Sequence, residues 1–195
     1  MLDIPEPLRA SVRRSLPEVE QIGDAELRRQ VVDAWALALS KSEFERIEDI
    51  PASGNPDTPP LIGGTQADHI RGVARLAAAM ADALEAQVGS LGIDRDLLLA
   101  AALCHDVGKP FEFSQRNQAR WQANPAATGH PSMRHTVYGV YIALSVGLPE
   151  AVAHVAGAHS AEGQFVRRSL INTLVHHADY AFWDALRSAG RLKST

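Results

Sequence analysis

An all-α domain of about seven helices is predicted by three features of this sequence. Apolar residues recur at steps of three and four through most of the chain. Prolines mark the breaks, four of them within residues 51–60. No run of alternating β-branched residues argues for a sheet. With 195 residues, 46% of them hydrophobic and 22% charged, the chain can bury a full core in one compact domain. Within it, residues 1–60 are expected to supply N-terminal helices and a proline-rich loop packed on a core of residues 61–195.

The elements follow in order. Residues 8–16 form a short helix behind Pro5 and Pro7, closed by a turn at Ile22-Gly23. Asp24 caps the second helix, with Glu26 in its first turn and Leu27, Val31, Ala34 and Leu37 at helical spacing to Ser40. It reads as a packing helix, with the wall or lid of a site as the functional alternative. Residues 51–60 form a loop, because that density of proline is incompatible with a regular helix. Thr65 caps a long helix to Val88 whose apolar stripe is His69, Val73, Leu76, Met80 and Leu84. Asp94 caps the next, which carries Leu98 and His105 on one side, Asp106 on the adjoining face, and ends at Gly108-Lys109-Pro110.

Residues 111–128 are polar and read as an irregular insertion, with Trp121 anchoring it to the core. A helix then starts within residues 132–135 and runs through Val140 and Leu144 to Val146. Pro149 takes the first position of its successor, which carries Val152, Val155 and His159 and is broken by Gly163. The last helix, residues 166–186, carries Ile171, Val175, Asp179, Phe182 and Leu186.

Several function classes drop out. The net charge is −4 and the pI about 6.0, so no global basic field exists to hold nucleic acid. The N-terminal segment lacks the apolar core of a signal peptide, and no apolar run approaches the roughly 20 residues that span a bilayer. The single cysteine, Cys104, excludes an internal disulfide and fits a reducing cytoplasm. It reads as a buried, inert thiol.

What remains anomalous is chemical. His69, His105, Asp106, His135, His159 and Asp179 fall at the inward side of predicted helices. Burying charge is costly unless it is paired or bound to metal. Imidazole and carboxylate suit divalent iron, manganese, zinc, cobalt or nickel, and helical bundles bind metals between facing helices. One shared centre of one or two ions explains the six together.

The order His, His-Asp, Asp, with His105-Asp106-Val107-Gly108-Lys109 ending a buried helix, resembles the HD-domain superfamily of metal-dependent phosphohydrolases. The likeness covers residues 65–186. It implies a helical bundle of the HD-domain type, with His69, His105, Asp106 and Asp179 as a first metal site. In binuclear members two further histidines complete a second site, and His135 and His159 resemble these. His130 and His154 have the same separation of 24 residues, so spacing does not decide between the pairs. The context of His135, followed by Thr136-Val137-Tyr138-Gly139-Val140, and the stripe position of His159 favour the first pair. Ser160 departs from the pattern, since many binuclear members carry another histidine there.

The resemblance implies hydrolysis of a small phosphate ester or nucleotide by metal-activated water. Asp106 would bridge two ions, Lys109 would offset phosphoryl charge, and His176, one turn before Asp179, would serve as a supporting partner or proton carrier. His177 is structural in this reading. Arg116, Arg120, Arg134, Arg167 and Arg168 are further candidate cations. A di-iron oxygenase of the same superfamily, a hydrolase of a non-phosphate bond, and a non-catalytic metal-plugged scaffold are the alternatives. The expected partner is a small anionic molecule, with neither a nucleic acid nor a membrane; the oligomeric state stays open, a homodimer included.

Overall fold

Helix α2 (Ala25–Ser40) is buried from Val31 to Leu39, so the rest of the bundle wraps around it. The computed structural model describes residues 4–193; the first three and last two residues, part of the expected terminal segments, lie outside that span. Ten α-helical segments occur among the described residues: α1 (Glu6–Ser15), α2, α3 (Gln66–Val88), α4 (Arg95–Cys104), α5 (Lys109–Phe113), α6 (Gln115–Ala123), α7 (Pro125–Thr128), α8 (His135–Ser145), α9 (Glu150–Ala158) and α10 (Leu170–Ser188). Strand-like pairing among them is confined to an isolated bridge, Leu61 with Leu192. The fold class is all-α. No helix among the described residues is long and apolar enough to cross a membrane.

All seven expected helices are present, and residues 109–128 add three short ones, reaching across the stretch 111–128 where an irregular insertion is expected. Local capping explains the difference. Ser114 accepts from Asn117 N, and Asn124 accepts from Ala127 N at 3.3 Å. Such caps stabilise a helix without apolar periodicity. Trp121 anchors the segment and is buried.

The caps of α2, α3 and α4 lie where the sequence puts them. Asp24 accepts from Glu26 N and Leu27 N, Thr65 accepts from Asp68 N, and Asp94 accepts from Leu97 N. The inward face of α3, however, differs from the expected stripe. His69 and Val73 are buried, but Leu76 and Leu84 are 38% and 42% exposed, and Ala74, Ala77 and Ala81 take the core side. The small face lets α3 approach both α4 and α10 closely, which leucines there would prevent. Gly72 serves the same approach, since a Cβ there would lie 2.6 Å from the Phe182 ring of α10.

Two polar ties bind the scaffold. Trp35 of α2 donates its indole N–H to Leu103 O at 2.8 Å, two residues before the His-Asp pair. Glu18 is buried and accepts from Arg71 Nε and Arg75 Nη2, both at 2.9 Å, joining the N-terminal segment to α3. Burial pushes the Glu18 carboxyl up, but its bonds to Arg71 and Arg75 outweigh this and hold it below the usual carboxylate range. A depressed folded-state value contributes stability above the unfolded value and loses it as pH falls through the folded one. Glu18→Gln is therefore expected to destabilise the protein by roughly 1–2 kcal/mol at neutral pH. Thermal unfolding at pH 7 and in the acid range checks it: the deficit should shrink on acidification.

Candidate metal centre

The centre is built on the turn that follows α4. That helix ends at Cys104, earlier than the expected stop at Gly108, because tight bonds take over: Val107 N to Cys104 O and Lys109 N to Asp106 O. Lys109-Pro110 opens α5 rather than closing α4, with proline in its tolerated N-terminal position. The turn thus projects His105 and Asp106 inward at the end of an apolar helix.

Four other elements converge on it. Helix α3 brings His69 and Gln66, α10 brings Asp179, the start of α8 brings His135, and the end of α9 brings His159; all five are buried. His69 Nε2 lies 3.2 Å from His105 Nε2, 3.1 Å from Asp106 Oδ2 and 3.3 Å from Asp179 Oδ1. His105 Nε2 lies 3.3 Å from Asp106 Oδ2. The other carboxylate oxygen, Asp106 Oδ1, faces His135 Nε2 at 3.5 Å and His159 Nε2 at 3.6 Å. Two potential ligand groups result, His69-His105-Asp106 and Asp106-His135-His159, with Asp106 common to both.

The tautomers are set from outside. His105 donates from Nδ1 to Ala102 O at 2.7 Å, His159 from Nδ1 toward Val155 O at 3.1 Å, and His135 from Nδ1 to Glu112 Oε2 at 2.5 Å. A neutral imidazole that donates through one nitrogen presents a lone pair at the other. The lone pairs of these three rings therefore converge on Asp106, the arrangement in which metal-bound histidines are held by outer carboxylates and carbonyls. Donors into the cluster are few: Gln66 Nε2 at 2.8 Å and Lys109 Nζ at 2.9 Å, both on Asp106 Oδ2. Imidazole nitrogens facing one another among carboxylate oxygens repel unless a cation or proton lies between them. The donor set fits a divalent ion that accepts mixed N and O ligands.

Electrostatics agree. Burial pushes His69 down to about 4, leaving it neutral. For Asp106 burial acts upward, but Lys109 and His105 hold it well below the usual range, and it stays ionised. His105 runs the other way: burial would lower it, yet the adjacent Asp106 raises it, so without a metal this ring favours a proton between Nε2 and the carboxylate. Lys109 is itself buried and donates to Ser53 O at 2.5 Å, tying the proline-rich loop to the centre.

Above the centre opens a cleft of about 670 Å³ whose lining includes Asp106, Lys109, Arg134, His135, His159 and Asp179. Of the candidate cations, Lys109 and Arg134 reach it. Arg116, Arg120 and Arg167 are exposed elsewhere, and Arg168 holds the chain beyond α9 through Ala158 O and Ser160 O. His130 is exposed, and His154 accepts from Ser169 N at 3.2 Å, so neither joins Asp106. His176 donates to His159 O at 2.5 Å, touching the backbone of the centre rather than its carboxylates. His177 is exposed.

The HD domain family matches residues 67–181, a span that holds every one of these ligand-type residues. The chain belongs to the HD domain family. It is also similar to the dihydroneopterin 2′,3′-cyclic phosphate phosphodiesterase of Methanocaldococcus jannaschii, with 27% identity over 177 residues covering 87% of this chain and 68% of that protein. No solved structure matches it. Family and relative together support a metal-dependent phosphohydrolase, and its His/Asp groupings are of a kind that can hold divalent metal.

Glu112, which sequence reasoning does not single out, is central to this HD domain. It is fully buried and accepts from both His135 N at 2.9 Å and His135 Nδ1. A signal was available: an acid between Phe111 and Phe113 is the same kind of anomaly as Asp179 on its stripe. Gln66 carries no such signal, since a glutamine in a first helical turn is unremarkable. Glu112→Gln weakens the anchor on His135 and is expected to lower metal affinity there about 10–100-fold. Metal titration with stoichiometry by elemental analysis checks it; unchanged binding at both groups would refute the anchoring role.

Proposed function

We propose that this HD-domain protein hydrolyses a small phosphodiester, with metal ions held by His69, His105, Asp106 and Asp179 and by Asp106, His135 and His159. The observation that carries the reading is the division of Asp106, whose two oxygens face two separate histidine groups at the floor of a cleft. When bound, divalent ions supply a water acidified toward a pKa of about 7 and a polarised phosphoryl oxygen. The chain's own residues do the rest. Lys109 and Arg134 offset negative charge on the phosphoryl oxygens. Gln66 and Lys109 fix the orientation of Asp106, Glu112 that of His135, and His176 steadies the backbone at His159. The cleft has the size to admit a small anionic molecule. The relative's activity on a cyclic phosphodiester favours a diester. The buried Cys104 fits a cytoplasmic protein, and residues 1–60 read as packing on the core of a single domain.

The test is reconstitution with manganese, cobalt, nickel, zinc or iron(II) and assay against bis(p-nitrophenyl) phosphate. Hydrolysis with at least one metal is expected, with His105→Ala losing metal from the first group and His135→Ala from the second. If neither substitution lowers metal content, the ligand assignment is wrong. A coloured protein with two irons per chain that consumes oxygen and cleaves no diester would replace the reading by the oxygenase one.

A further inference from the structure

Helix α8 carries apolar residues on both of its faces. Ile142 and Ala143 turn into the bundle and are buried, yet Val137, Tyr141 and Leu144, at steps of four and three, are each more than half exposed. No Asp, Glu, Lys or Arg occurs between Arg134 and Glu150. A helix without a charged face is ordinarily covered all round, and the neighbours α2, α5 and α9 leave this outer side of α8 open. Along it runs a groove of about 360 Å³, lined by Val140 and Leu144 of α8, Ala153 and Gly157 of α9, and Val166. Phe165, next to Val166, is 90% exposed. We propose that this face is the interface of a homodimer in which Phe165 of each copy enters the groove of the other. The interface holds whatever reaction the centre catalyses.

Self-complementarity names the occupant. A two-fold interface uses one patch twice, so the patch must carry both a projection and the recess that receives it. Phe165 is the projection, and the small side of α9 at Ala153 and Gly157 leaves the recess unfilled. The charges obey the same rule. Glu150 lines the groove and shares an adjoining depression with Arg167; both are exposed and, among the described residues, in no ion pair. With the axis between the groove and residues 165–167, the rotation that seats Phe165 also brings Arg167 of each copy to Glu150 of the other. A foreign partner would have to match projection, recess and both charges, whereas a second copy matches them by symmetry. The area suffices as well. Val137, Tyr141, Leu144, Phe165 and Val166 together expose several hundred Å² of apolar surface, the upper end for one patch on a monomer. With a polar rim this is comparable with the about 800 Å² that each partner buries in a standard interface. Glu162 lines both the groove and the metal cleft, so the interface lies one side chain from that cleft.

Sedimentation velocity of the full chain over a concentration series tests the interface. The wild type is expected to sediment as a dimer. Phe165→Asp changes an exposed position and should raise the dimer dissociation constant roughly 100-fold or more, because the contact is lost twice. Arg167→Glu and Glu150→Arg each set like charges against one another and should each weaken the dimer about tenfold. Mixed in equal amounts, these two variants should re-form the dimer, since every Arg167–Glu150 contact of the hybrid again joins opposite charges. A fold defect in either variant cannot produce that recovery. A wild type that stays monomeric throughout the series overturns the proposal and leaves the face to a different protein. A dimer that none of the three substitutions weakens also overturns it, as does one weakened by both charge reversals but not recovered in the mixture.

Discussion

Asp106→Asn is expected to lower diester hydrolysis by roughly 10³-fold or more, the scale on which groups acting as a unit fail together. The side chain keeps its shape but loses its charge, and an amide presents one oxygen where the carboxylate presents two. Oδ2 faces the His69-His105 group and Oδ1 the His135-His159 group, so one substitution is expected to disable both. A second consequence is structural. Lys109, 1% exposed, loses the carboxylate 2.9 Å from its ammonium. Removing one partner of a buried pair costs about 3–5 kcal/mol. Inactivity alone could then reflect unfolding. The double variant Asp106→Asn/Lys109→Met separates the two effects. It removes the stranded charge and should recover stability in urea unfolding while remaining inactive and depleted of metal. Activity within tenfold of wild type in either variant would refute the bridging role.

Gly108→Ala carries the second large effect, expected at about 3 kcal/mol or more of lost stability, at the upper end for overpacking. The backbone at Gly108 has φ −83°, which alanine adopts without strain. The obstacle is space: an added Cβ would lie 1.9 Å from His135 O and 2.7 Å from Gly139 N. Both are backbone atoms of α8, so no side chain can rotate away and the helix itself must retreat. Because His135 is the first residue of α8, its imidazole retreats too. Folded Gly108→Ala should therefore keep metal at the His69-His105 group and lose it at the His135-His159 group. Equilibrium unfolding in urea and metal stoichiometry on the native fraction check the two halves separately. Wild-type stability with full metal content would show that the close approach of turn and helix does not matter.

Much of the candidate site is legible along the chain because its ligand-type residues contradict their surroundings. His105 and Asp106 end an apolar helix, His159 ends an apolar stripe, and Asp179 interrupts one. Those anomalies need no partner to be seen. The helical caps Asp24, Thr65 and Asp94 are local too, since each bonds to backbone within three residues. The α3 stripe shows where pattern misleads. Leucines at helical spacing look like a core face, but toward the C-terminal half of α3 the close neighbours are met by Ala74, Ala77 and Ala81 instead.

Residue type and spacing by themselves determined the all-helical class, the order of the long helices and the six ligand-type residues, because helix periodicity and a polar group in an apolar run are properties of neighbouring residues. Only the tertiary structure distinguishes the pairs His135-His159 and His130-His154, both 24 residues apart, by bringing the first and not the second to face Asp106. It alone revealed Glu112, Gln66 and the Ser53 carbonyl as the groups that orient the centre. A hydrogen bond between residues 23 or 56 positions apart, as for Glu112 with His135 or Lys109 with Ser53, leaves no local trace in the sequence. It exists because five helices and a loop close on one point.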